Sequence, residues 1–208
     1  MKQMIKLSVT LALYTVIACL ALAAVNMLTA PRILAAKEAK TKQALQAIFP
    51  DADSFTPITD GIPKSVNKVA FGDAFLALSG KKTVGIIITI SGHTYDQATI
   101  LTGIDMEGKL RMIQFLTLTD SPGIGTKAKD EPFIGQFRNK PIADGFVLGS
   151  DVQAIAGATI TSTAVTRMVK IAVDAASSYM SSHGLGSSGS GKSTIAKLIA
   201  SFWDPKQG

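Results

Sequence analysis

Residues 7–28 read LSVTLALYTVIACLALAAVNML and contain no charged side chain. This stretch limits the fold more than any other. A helix of roughly 20 apolar residues is long enough to cross the hydrocarbon core of a bilayer. Its few polar side chains are Ser8, Thr10, Thr15 and Asn26. A cleaved signal peptide has a shorter apolar core, about 7–15 residues, and a small-residue cleavage site. Ala21, Ala23 and Ala24 mimic such a site, but the apolar run is too long for one, so it reads as a retained anchor. Pro31 is expected to end the helix, because the residue before a proline resists the helical region. The chain then divides into an N-terminus, 1–6, an anchor, 7–30, a body, 31–182, and a tail, 183–208.

Charge excludes some functions. The net charge of +6 is spread over the parts: Lys2 and Lys6 precede the anchor, the body is nearly balanced, and Lys192, Lys197 and Lys206 outnumber Asp204 in the tail. Charge scattered this way is a solvated surface, not a nucleic-acid face. By charge alone the anchor's orientation is open, since Arg32, Lys37, Lys40 and Lys42 follow it and would favour a cytoplasmic body. Cys19 is the only cysteine, and His93 and His183 are the only imidazoles. That set gives neither a disulfide framework nor a metal centre. Electron transfer by this chain would need an organic cofactor.

Periodicity places the elements of the body. Residues 31–49 read as a helix ended by Pro50-Asp51. Val69-Ala-Phe71 and Val84–Ile90 read as strands about a turn at Ser79–Lys82. Ala98–Ile104 and Leu110–Leu118 form a second pair about Asp105-Met-Glu-Gly108. A Pro/Gly loop follows at Ser121–Gly125, then a short helix at Pro132–Phe137. Thr161–Met180 carries Val165, Met168, Val169, Ala172, Val173 and Ala176 at helical spacing. Strand pairs mixed with few helices indicate an α+β body behind a single transmembrane helix.

Directly before that last helix lies Ala156-Gly157-Ala158-Thr159-Ile160-Thr161-Ser162. A small-residue turn feeding a helix N-terminus offers free N–H groups and the positive end of the dipole to an anion. Thr161 and Ser162 are expected N-cap residues, and Gly157 and Ala158 leave space near the backbone. On local physics alone, the turn reads equally as a simple helix cap. Its Gly-Ala-Thr-Ile-Thr-Ser string resembles the flavinylation motif of the FMN-binding domains found in the RnfG family of Rnf electron transport complexes and in the related family of sodium-pumping quinone reductases. Four other segments resemble the RnfG family in the same order: Asn26-Met-Leu-Thr-Ala-Pro31, Gly103-Ile-Asp-Met-Glu-Gly-Lys109, Ser121-Pro-Gly-Ile-Gly125 and Phe133-Ile-Gly-Gln-Phe137. The resemblance spans residues 1 to about 182.

The resemblance implies that residues 31–182 form an FMN-binding domain. It implies FMN held covalently through its phosphate on Thr159, attached by a separate flavin transferase. It further implies contacts from Gly157, Ala158, Thr161 and Ser162, and from Pro122, Gly123, Gly125 and Thr126. Flanking of the ring by His93 and Tyr95 is the lesser reading, since a lone histidine in a polar loop is usually just exposed. No residue is catalytic in its own right. The partners implied are the other membrane components of an ion-translocating ferredoxin:NAD+ oxidoreductase, and the flavin domain would lie outside the cytoplasm. The chain departs from the family pattern at Gln153, where an Asp is usual, and at Ala156, where Ser or Thr is usual. Gly92-His93-Thr94-Tyr95-Asp96 replaces a Gly-Tyr-Gly-Gly loop. A flavin subunit of another respiratory reductase and a flavin-free structural subunit are the alternatives.

The tail contains Gly186-Ser-Ser-Gly-Ser-Gly191-Lys192-Ser193-Thr194, which matches the phosphate-binding P-loop string and resembles the start of an ABC transporter ATPase domain. No hydrophobic strand precedes it, and too few residues follow to supply an acidic residue for Mg²⁺. ATP binding is therefore not expected; the tail reads as a foreign fragment, with a short helix over 192–202.

Overall fold

The computed structural model describes residues 2–185 and divides the chain into two compact units, 1–43 and 44–208. Helix α1 spans Lys2–Ile48 and is long and apolar enough to cross a membrane. Its described side chains are exposed as far as Lys40. The hydroxyls of Ser8, Thr10, Thr15 and Thr29 donate to carbonyls three or four residues earlier, at 2.8–3.0 Å. These polar groups are thus satisfied within the helix itself, as a lipid environment requires. Pro31 does not end the helix, contrary to the sequence expectation. A proline inside a helix removes a single N–H donor. Good helix formers on both sides, notably Met27, Leu28 and Ala30 before it and Ala35, Ala36, Lys37, Glu38 and Ala39 after it, outweigh that loss. The separate helix expected over 31–49 is the C-terminal part of α1.

The second unit is built on one antiparallel sheet. Its strands are β1 (Ser54–Ile58), β2 (Ser65–Val66), β3 (Val69–Ser79), β4 (Lys82–His93), β5 (Gln97–Asp105), β6 (Lys109–Leu118) and β7 (Lys140–Pro141). The order is β1-β3-β4-β5-β6-β7, with β2 beside β3. Both expected hairpins form. Gly80 and Gly108 take φ of +59° and +81° at their turns, and the Asp105 carboxylate accepts from the N–H groups of Glu107 and Lys109. Periodicity alone missed β1, β2 and β7. Each is short, and β1 contains Pro57, which hides the strand pattern.

Both sheet faces are covered, which makes an α+β domain of three layers. On one face, Ile86, Ile88, Ile90, Ile100 and Ile104 pack with Val165, Met168, Val169, Ala172, Val173 and Ala176 of α3 (Thr159–Ser182). On the other, Ala44, Leu45, Ile48 and Phe49 pack against Ala77, Ile87 and Leu101. Two glycines make the second contact possible. A Cβ on Gly103 would stand 2.1 Å from Ile48 Cγ2, and one on Gly85 would stand 2.1 Å from Phe49 Cζ and 2.7 Å from the Ile104 carbonyl. Arg111 lies over the Phe49 ring at 4.8 Å and bridges to Asp51 at 2.7 Å. The short helix expected at 132–137 appears as α2 (Glu131–Ile134) with a 3₁₀ turn at Gly135–Phe137. The tail from residue 186 onward, with its Gly186–Thr194 string and the helix expected over 192–202, lies outside the described residues.

Candidate functional site

Helix α3 starts at Thr159, two residues earlier than its sequence pattern suggests. Ala158 is the N-cap residue, and no side chain caps the helix. Thr161 and Ser162 are therefore not N-caps, and their hydroxyls are engaged elsewhere. Ser162 Oγ accepts from the Ile155 N–H at 3.0 Å and donates to the Ala158 carbonyl at 2.9 Å. Thr161 Oγ1 donates to Asp120. Thr163 Oγ1 donates to the Thr159 carbonyl at 2.8 Å. Of the four hydroxyls in this turn, only that of Thr159 is both exposed and without a hydrogen bond among the described residues. Gly157, at φ +80°, makes the left-handed step that delivers the chain into the helix.

Asp120 ties this turn to the rest of the domain. It follows β6 and is 2% exposed. Its carboxylate accepts from Thr161 Oγ1, Thr94 Oγ1, the Asp96 N–H at 2.9 Å and the Tyr95 N–H at 3.3 Å. Burial pushes the carboxyl up, but the Thr161 and Thr94 hydroxyls and the two N–H groups outweigh it. The pKa ends below the ordinary carboxylate value. One charged group thus joins the β4–β5 loop, the segment after β6 and the first turn of α3. Gly125 completes the junction: a Cβ there would stand 2.6 Å from Asp120 Cβ and 3.0 Å from Thr161 Oγ1. Asp120 is not legible in the sequence because its donors lie at positions 94–96 and 161. The only local signal is its place just before Ser-Pro-Gly.

An open groove of about 430 Å³ lies beside Thr159, lined by Lys68, His93, Thr94, Thr159, Ile160, Thr163, Ala164 and Arg167. That volume falls in the roughly 300–1,000 Å³ range of ligand clefts. An unengaged hydroxyl beside the N–H groups of a helix N-terminus suits a phosphate-bearing aromatic ligand such as FMN. His93 lines the groove, whereas Tyr95 is not part of its lining and meets the site through its N–H. Pro122, Gly123, Gly125 and Thr126 do not line the groove either. Their loop is closed on itself, with the Gly123 N–H donating to Thr126 Oγ1 at 2.8 Å and the Thr126 N–H to the Ser121 carbonyl. It reaches the site through Gly125. Gln136, the glutamine of the Phe133–Phe137 segment, also holds the approach to this turn. Its side chain accepts from the Gln153 N–H at 2.7 Å and donates to the Gln153 carbonyl at 3.3 Å. The backbone at 153 is used here, so an Asp-to-Gln change of side chain leaves the clamp intact.

Known proteins resemble this chain in sequence. A family model described as FMN-binding domain matches residues 81–174, and one described as RnfG N-terminal region matches residues 1–48. The G subunit of the proton-translocating ferredoxin:NAD(+) oxidoreductase complex of Clostridium ljungdahlii is 29% identical over 166 residues, covering 76% of this chain and 83% of that one. The G subunit of the ion-translocating oxidoreductase complex of Methanosarcina acetivorans is 27% identical, covering 83% and 94%. The G subunit of the Na(+)-translocating ferredoxin:NAD(+) oxidoreductase complex of Acetobacterium woodii is 28% identical, covering 83% and 91%. With an apolar N-terminal helix, an α+β body and both family matches in register, the chain belongs to the RnfG family and carries its FMN-binding domain.

Proposed function

We propose that this chain is a single-pass membrane component of an ion-translocating ferredoxin:NAD+ oxidoreductase complex, and that it carries electrons on FMN esterified to Thr159. The observation that supports this most directly is the state of the hydroxyls at the start of α3. Thr161, Ser162 and Thr163 have theirs committed to other groups, whereas Thr159 presents a free one to the groove. In the proposed attachment, Thr159 Oγ loses its proton and bonds to the flavin-side phosphorus of a flavin dinucleotide brought by the transferase, while the phosphoanhydride bond breaks and the other half leaves as a nucleoside monophosphate. The N–H groups of the first helical turn and the helix dipole hold the anionic diester. Asp120 fixes the turn through Thr161, and Gln136 fixes the approach through Gln153. Bound flavin supplies one- and two-electron chemistry, which the protein lacks by itself. The tether keeps it at high local concentration beside redox partners. The body sits on the extracytoplasmic side in this reading, as the resemblance implies.

The test is a denaturing gel of protein co-expressed with a flavin transferase, viewed under ultraviolet light. A fluorescent band is expected for the wild type and for Thr163→Ala, and a dark band for Thr159→Ala. A dark wild-type band whose intact mass is the bare polypeptide would leave a structural subunit without flavin.

A further inference from the structure

The groove beside Thr159 has a one-sided charge. Three of its lining residues, Lys68, His93 and Arg167, are basic, and none is acidic. Lys68 and Arg167 make no hydrogen bond or ion pair with the described residues, although five other basic residues of the domain are paired with carboxylates. Lys68 is also held in an unfavourable backbone state. β2 and β3 pair Val66 with Val69, so Asn67 and Lys68 form a two-residue hairpin turn, with φ of +49° and +66°. Such turns favour Asn then Gly. Asn fills the first place, but at the second a long side chain stands where glycine would be free of strain. Strain of this kind persists where the side chain has a use. Arg167 lies eight residues beyond Thr159 on α3, about 12 Å of helix rise. It is therefore too far along to serve only the point of attachment.

We propose that Lys68 and Arg167 hold the negative charge that the flavin gains on reduction, and so set its potential. This rests on the reading of Thr159 as the attachment site. An oxidised flavin that takes up two electrons and one proton gains one negative charge; dithionite supplies the electrons in the test below. Two cations in the lining of the groove, with no carboxylate among its lining residues, would stabilise the reduced state of a flavin held there over the oxidised one. Neither cation touches the hydroxyl that accepts the flavin, so loading and potential are separable.

The test uses full-length protein co-expressed with a flavin transferase, with flavin content read by intact mass and the midpoint potential by dithionite titration. Lys68→Gly and Arg167→Met are each expected to be flavinylated like the wild type. Each should weaken the hold on the electron pair about tenfold, a fall of about 30 mV for a two-electron couple. Arg167→Lys, which keeps the charge, should return the potential toward the wild-type value. Lys68→Gly relieves the turn, so its thermal midpoint should stay level or rise while its potential falls; a merely structural lysine would leave the potential alone. Unchanged potentials in flavinylated variants would overturn this inference only. Loss of flavinylation in both variants would also overturn it, placing the charges at loading instead of at the ring. A wild type without covalent flavin overturns the reading of Thr159, and this inference with it.

Discussion

At the scale of single residues, Asp120 decides the geometry of the site. It is a buried carboxylate with four donors and no cation among its hydrogen-bond partners. Asp120→Ala leaves two hydroxyls and two N–H groups without their acceptor, and should destabilise the domain by about 2–3 kcal/mol in denaturant unfolding. Because its folded pKa is lowered, the stability it contributes is complete above the ordinary carboxylate pKa of about 3.9. That contribution is lost as pH falls through the folded value. A wild-type stability profile should therefore be level in this respect from neutral pH down to about 4 and fall below it. In Asp120→Asn this acid-linked fall should be absent from the profile. Thr159 is legible from a local string of residues. Asp120, Lys68 and Arg167 have no such string, because their roles arise only when β4, β6, the β2–β3 turn and α3 come together.

At the scale of elements, the sheet is written most clearly where β-branched runs face a buried layer. β4 and β5 are legible for that reason, since Ile86–Ile88, Ile90, Ile100 and Ile104 are fully buried. The start of α3 is misplaced by sequence because Thr161 and Ser162 are good caps in isolation, and only tertiary contacts assign their hydroxyls elsewhere. Pro31 misleads for a related reason, as a local rule is outweighed by helix formers on both sides. The sheet contains one polar flaw. Thr102 Oγ1, on β5, is buried and has no hydrogen-bond partner among the described residues. Thr102→Val keeps the shape and removes the orphan, and should raise stability by about 1 kcal/mol in thermal or denaturant melts. Gly103→Ala should act oppositely, costing about 1–3 kcal/mol, because its methyl would overlap Ile48. Gly85→Ala should cost at least as much, since one of its obstacles is the Ile104 carbonyl, which the sheet holds in place.

At the scale of the whole molecule, the second compact unit begins at Ala44, inside α1. The residues just before the first strand are core, with Ile48 and Phe49 almost completely buried. A chain beginning at Lys42 should melt cooperatively, whereas one beginning at Pro50 should lose roughly 5 kcal/mol or more, enough to abolish the transition in a marginal domain. Circular dichroism of the two truncations checks this. The order of the pieces along the chain has a consequence for biogenesis. The proposed acceptor hydroxyl lies in the last described helix, and the carboxylate that orients its turn lies some forty residues earlier. A ribosome-bound chain whose α3 has not yet emerged cannot present that hydroxyl in its final setting. Maturation would then follow completion of the domain, and a flavin on Thr159 would certify that the polypeptide had finished folding.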